Sequence, residues 1–177
     1  MLLKLRPPRP LWLFLAALSL SIGWGGLYAA RIYRHHTALG EMQRYGVKMN
    51  VVPGGPDWLR NKVHFKRMDL FDEPVSLDFE GVDLTDDTLR SVGWLTNVER
   101  LYLNDTQIGD AGLKHLGGLT NVKRLMLDGT RVSDAGLEYV TGMTKLQQLD
   151  LNGTQVTKTG VARLKQALPK CVIVMGD

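Results

Sequence analysis

The chain has 177 residues, with 22 Lys and Arg against 18 Asp and Glu and a formal net charge of +4, which allows one modest domain and an appendage. Every acidic residue follows position 30, whereas Lys4, Arg6 and Arg9 precede it, so the body is almost neutral and lacks the cationic surplus that phosphate neutralisation needs; nucleic acid is set aside as a partner. Cys171 is the only cysteine, which excludes an intrachain disulfide and a multi-cysteine metal site.

Residues 1–10 form a basic tail. Residues 11–30, LWLFLAALSLSIGWGGLYAA, contain no charge, and a helix of that length spans about 30 Å, the thickness of the hydrocarbon layer. Arg31 and Arg34 follow it, and Trp12, Trp24 and Tyr28 lie near its ends, where amphipathic rings favour the interface. This predicts a single membrane-spanning helix. A cleaved signal peptide is the competing reading, but cleavage after Ala30 would put bulky Tyr28 where a small residue is preferred. The basic flanks are similar in size. The short, purely basic tail points to a cytoplasmic N-terminus, with the rest of the chain on the non-cytoplasmic side.

Residues 31–56 read as a juxtamembrane helix and a turn-rich spacer. Ile32, Leu39 and Met42 fall at roughly helical spacing, and Gly46, Pro53, Gly54, Gly55 and Pro56 mark turns. Residues 57–76 carry Trp58, Leu59, Phe65, Met68, Leu70 and Phe71, apolar enough to cap the open N-terminal end of a solenoid.

From Leu77 the chain falls into four rows of 24 that begin at Leu77, Leu101, Leu125 and Leu149 without insertion or deletion. A fixed period in the range of about 20–29 residues marks such a solenoid and outranks any local secondary-structure assignment. Leu101 and Leu103 alternate with Tyr102 as in a strand with one face inward. Leu113, Leu116 and Leu119 recur every three residues, as do Leu137, Val140 and Met143, which predicts a helical turn facing the same core. Asp86, Asp110 and Asp134, or the neighbouring Thr85 and Ser133, are expected to cap those helical segments, with Thr157 capping alone in the fourth row, where Lys158 replaces the acid. Thr106, Thr130 and Thr154 follow the strands and are expected to satisfy backbone groups of the neighbouring coil. Val82 in their place, and Thr88 in place of Gly112, Gly136 and Gly160, make the first row a degenerate one. After Pro169 the segment CVIVM places Ile173 and Met175 one period beyond Leu149 and Leu151, as a closing strand.

The rows, with the pattern LxxLxLxxTxhxDxGLxxLxxL, resemble bacterial leucine-rich repeats, and their (V/I)xDAGL segment is similar to the cysteine-containing subfamily. That resemblance covers residues 74–177. It implies an α/β solenoid with short parallel strands on a concave side and helices on a convex side, here preceded by one transmembrane helix. It also implies an interaction role and supplies no catalytic residues.

Candidates for chemistry are few. A hydroxyl nucleophile is needed once, whereas Thr106, Thr130 and Thr154 recur every row without an adjacent base. His35 and His36 are adjacent and point about 100° apart on a helix, unlike an i, i+4 metal pair. His64 and His115 stand alone, and the tripeptides at Asn104 and Asn152 that match a glycosylation acceptor arise from the repeat itself. No enzyme and no cofactor or metal is expected.

The outward strand residues are the informative ones. Stacking the rows aligns Asp78, Tyr102, Met126 and Asp150 in one column, Glu80, Asn104, Asp128 and Asn152 in a second, and Ser76, Arg100, Arg124 and Gln148 in a third. Tyr, Met and Arg are enriched in interfaces, so this concave face is the expected contact surface for a protein or cell-envelope partner. The alternative is a structural or assembly role through self-association of the solenoid.

Overall fold

A computed structural model describes residues 25–52 and 73–176. It contains a six-stranded sheet in chain order: β1 (Lys48–Val52), β2 (Glu73–Asp78), β3 (Arg100–Tyr102), β4 (Arg124–Met126), β5 (Gln148–Asp150) and β6 (Val172–Val174). The pair β1–β2 is antiparallel, and every later pair is parallel. Five helices complete the described chain: α1 (Gly25–Arg44), α2 (Leu89–Val92), α3 (Asp110–Leu116), α4 (Leu137–Val140) and α5 (Lys158–Ala167).

Leu77, Leu101, Leu125, Leu149 and Ile173 pair in one register, so the period of 24 is the period of the coil. The inner leucines of the rows, with Leu113, Leu116, Leu137 and Val140 from the helices, form one buried cluster. Each row leaves its strand through a residue in the left-handed region, at Gly81 (φ 72°), Asp105 (φ 55°), Gly129 (φ 68°) and Gly153 (φ 62°). Glycine adopts this conformation without strain, and Asp tolerates it better than most residues. A left-handed turn residue is therefore built into every row, which the leucine pattern alone did not disclose.

The polar residues of the repeat act differently from the sequence expectation. Thr106, Thr130 and Thr154 each donate at 2.7 Å to Leu103, Leu127 and Leu151. Those carbonyls belong to their own coil, three residues back, and not to the neighbouring one. Asp86, Asp110 and Asp134 do not cap the helices of their own rows, since α2, α3 and α4 have no side-chain cap bond. Their carboxylates reach forward instead. Asp86 accepts from the Gly109 N–H, and Asp110 accepts from both the N–H and the hydroxyl of Ser133. Asp134 does the same with Thr157. The physical reason is that the N–H groups at the start of each helical segment are already bonded to carbonyls three residues back, as Thr88 is to Thr85, Gly112 to Gly109 and Gly136 to Ser133, which leaves the carboxylates free to bond the next coil. Thr157 does cap α5, accepting from Gly160 at 3.1 Å.

The N-terminal part of the chain also departs from the sequence reading. The interval 31–56, read as juxtamembrane helix and spacer, holds α1 and then β1, which joins the sheet. Ala38, Leu39, Met42 and Val47 are buried in the common core, and Glu41 accepts from the Ser91 hydroxyl at α2. Among the described residues α1 and β1 cover the first row; the cap expected of residues 57–76 is a separate segment. Of that interval, residues 57–72 lie outside the described residues and 73–76 open β2. Residues 11–24 of the expected membrane span also lie outside, and residues 25–30 form the first turns of α1. Among the described residues no helix is long and apolar enough to cross a membrane.

Candidate functional site

Alternation along a strand turns residues 100 and 102 away from the core while residue 101 faces it, and the same holds for 124–126 and 148–150. The register then stacks the outward residues. Ser76, Arg100, Arg124 and Gln148 lie side by side, as do Asp78, Tyr102, Met126 and Asp150. Both columns are those expected from the row alignment. The Glu80, Asn104, Asp128 and Asn152 column lies just beyond the strands and is stitched between rows: the Asp128 N–H donates to Asn104 Oδ1 at 3.2 Å, and Gly129 N–H donates to the Asn152 carbonyl at 2.9 Å.

Hydrogen bonding divides these residues into two groups. Asp78 Oδ1 accepts from the Glu80 N–H and Asp150 Oδ1 from the Asn152 N–H, each at 3.0 Å. With Asn104, these side chains hold the backbone as it leaves the strand. The side chains of Arg100, Tyr102, Arg124 and Met126 make no hydrogen bond among the described residues. Both arginines are exposed, and Tyr102 and Met126 are half-buried. Two guanidinium groups on adjacent strands repel each other unless an anion lies between them. Ser76 is buried where β1 crosses beside it, opposite Asn50, so the Arg column is open at its second and third members and closed at its first.

Neighbouring charges reinforce this polarity. Glu99 forms an ion pair with Lys123 at 2.7 Å, and that bond, with Arg100 and Lys145 nearby, holds its carboxyl below the usual Glu range. The acid closest in sequence to the arginines is therefore already engaged. On the opposite side of the solenoid, the hydroxyl and N–H of Thr157 hold Asp134 below the usual Asp range. Burial pushes the Cys171 thiol up, so this cysteine packs as a small apolar group. Among the described residues no three His, Cys, Asp or Glu side chains gather as metal ligands would.

The row alignment missed two continuations of these columns. On one side Lys48 pairs with Asp78 and Asn50 with Ser76; an antiparallel strand outside the repeats leaves no trace in a repeat alignment. On the other side Val172 pairs with Gln148 and Val174 with Asp150. These could have been found by adding 24 once more to each column.

Two stretches of the chain, residues 95–117 and 142–165, match the leucine-rich repeat family. No curated relative matches the chain in sequence. Among solved structures, the chain is similar to internalin C2 from Listeria monocytogenes at 24% identity and a TM-score of 0.42, over 50% of this chain and 38% of that one. A leucine-rich repeat protein of Leptospira interrogans is similar at 22% identity and a TM-score of 0.39, over 48% of this chain and 21% of that one. The chain thus spans well under half the length of either structure.

Proposed function

We propose that this leucine-rich repeat protein is a non-catalytic binding module that holds a protein or cell-envelope partner against the outer face of its parallel sheet. In this reading residues 11–30 anchor it in a membrane as a single-pass protein, with the repeats on the non-cytoplasmic side. The observation that carries the binding site is the group Arg100, Tyr102, Arg124 and Met126, whose side chains lie together on β3 and β4 with no internal hydrogen-bonding partner. An aromatic and two arginines at the centre of a face are the residue types that supply most of an interface's energy, and loss of one such contact often costs about 2 kcal/mol or more. Several rows can then touch one ligand at once.

The test is capture of a partner identified by cross-linking to the intact protein. Tyr102→Ala with Arg124→Ala is expected to weaken capture by at least about 30-fold. Lys114→Ala with Glu138→Ala, exposed on the helical side, should leave it unchanged. Sensitivity to the second pair but not the first would move the site to the helical surface.

A further inference from the structure

The outward columns of the sheet differ in charge. The first, from Ser76 to Gln148, holds Arg100 and Arg124 and no acid. The third, from Glu80 to Asn152, holds Glu80 and Asp128 and no base. Between them Tyr102 and Met126 sit side by side. Along one strand and its continuation the order is Arg124, Met126, Asp128, with Leu125 and Leu127 buried in between, so a base, an apolar group and an acid follow one another on one face. At a rise of about 3.3 Å per residue the two charged ends lie about 13 Å apart.

Neighbouring charges leave this order standing. Just before the strands, Glu73 and Glu99 are matched by Lys123 and Lys145, and Glu99 is paired with Lys123. In the middle column Asp78 and Asp150 flank the apolar pair; each carboxylate holds a backbone N–H, and Lys48 stands beside Asp78. Arg131, the cation that follows Asp128 in sequence, lies beyond the left-handed turn at Gly129. Arg100, Arg124, Asp128 and Arg131 join no ion pair among the described residues. The charges at both ends of the face are thus available to a ligand.

A ligand of one charge sign fits such a face poorly. A polyanion gains at the arginines and is repelled at the third column, and a polycation meets the reverse. Like-charge juxtaposition suppresses a wrong partner, whereas opposite charge steers the right one and fixes its register. We propose that the face takes a protein segment with the opposite order of side chains: an acid against Arg100 and Arg124, an apolar residue over Tyr102 and Met126, and a base against Asp128. In an extended segment these fall at i, i+2 and i+4, the spacing of the strand itself. This narrows the partner to a protein and excludes anionic envelope polymers; it rests on the sheet face being the binding site proposed above.

The probe is a phage-displayed library of random dodecapeptides, selected on the full-length protein in nanodiscs after depletion on empty nanodiscs. Peptides with an acid and a base at i and i+4, in either order, around an apolar residue are expected to be enriched severalfold. Arg100→Glu with Arg124→Glu should shift the selection to two bases around the apolar residue, and Asp128→Lys should shift it to two acids. Either variant decides by itself. Enrichment of acidic peptides without a base on the wild-type protein would overturn the proposal. So would the same peptides from the wild type and the variants, or no enrichment at all. Selection on Tyr102→Ala with Arg124→Ala separates this failure from that of the face: peptides retained there bind elsewhere and sink the proposed binding site. Peptides lost there but lacking the paired charges overturn only the ordered-charge reading.

Discussion

Gly112, Gly136 and Gly160 occupy one place in successive rows, and a carboxylate from the row before fills the space beside each. A Cβ built on Gly112 would lie 2.5 Å from Asp86 Oδ1, and one on Gly136 or Gly160 would overlap Asp110 or Asp134. The same carboxylates bond the start of the next turn, so Asp and Gly form one joint between coils. This explains two departures in the repeat. Thr88 holds the glycine position in the first row, which has no preceding row to send it a carboxylate, and Lys158 holds the acid position in the fourth. Gly136 has ordinary helical φ and ψ, where Ala is normally favoured by about 1 kcal/mol. Here Gly136→Ala is expected to destabilise by about 1–3 kcal/mol, because Asp110 must swing out and lose its bonds to Ser133. In an Asp110→Ala background the same change should be neutral or stabilising. Urea melts of the four proteins measure the cycle, and additive effects would show that the two residues are not coupled.

At the scale of elements, α1 is the least expected contributor to stability. Helical spacing marked Leu39 and Met42 as one face, but periodicity names a buried face without naming what buries it. In the fold that face covers the first row, with Met42 wholly buried and Glu41 bonded to Ser91. Met42→Ala should therefore lower solenoid stability by about 2–5 kcal/mol, although Met42 lies outside every repeat. Tyr33→Ala, on the same helix at a position 73% exposed, should stay within about 0.5 kcal/mol. Thermal melting of the two variants separates a cap from a mere tether: equal shifts would place α1 off the solenoid.

At the scale of the molecule, the proposed anchor and the cap adjoin with little chain between them. The uncharged run ends at Ala30, and among the described side chains of α1 the first in the core is Ala38, about 12 Å along a helix. An anchored chain would hold its repeats close to the lipid headgroups, in an orientation set by a helix. The protein is expected to stay with the membrane pellet after alkaline carbonate washing and to keep Met1 or Leu2 in its intact mass. Recovery of a soluble chain starting near Arg31 would instead mark residues 11–30 as a removed leader.

The repeat period, the inward leucines and the two outward columns on the strands were legible in the sequence, because a solenoid converts spacing along the chain directly into neighbours in space. Tyr102 beside Met126 follows from the number 24 alone. Tertiary structure was needed wherever a contact breaks that period or joins one row to the next. The antiparallel β1 and the burial of Met42 are not periodic, so no alignment of rows could contain them. The carboxylates of Asp86, Asp110 and Asp134 look like helix caps when each row is read by itself. Their forward bonds emerge only when two coils are stacked, because the row's own first N–H groups are taken by backbone carbonyls and the next coil offers unpaired ones.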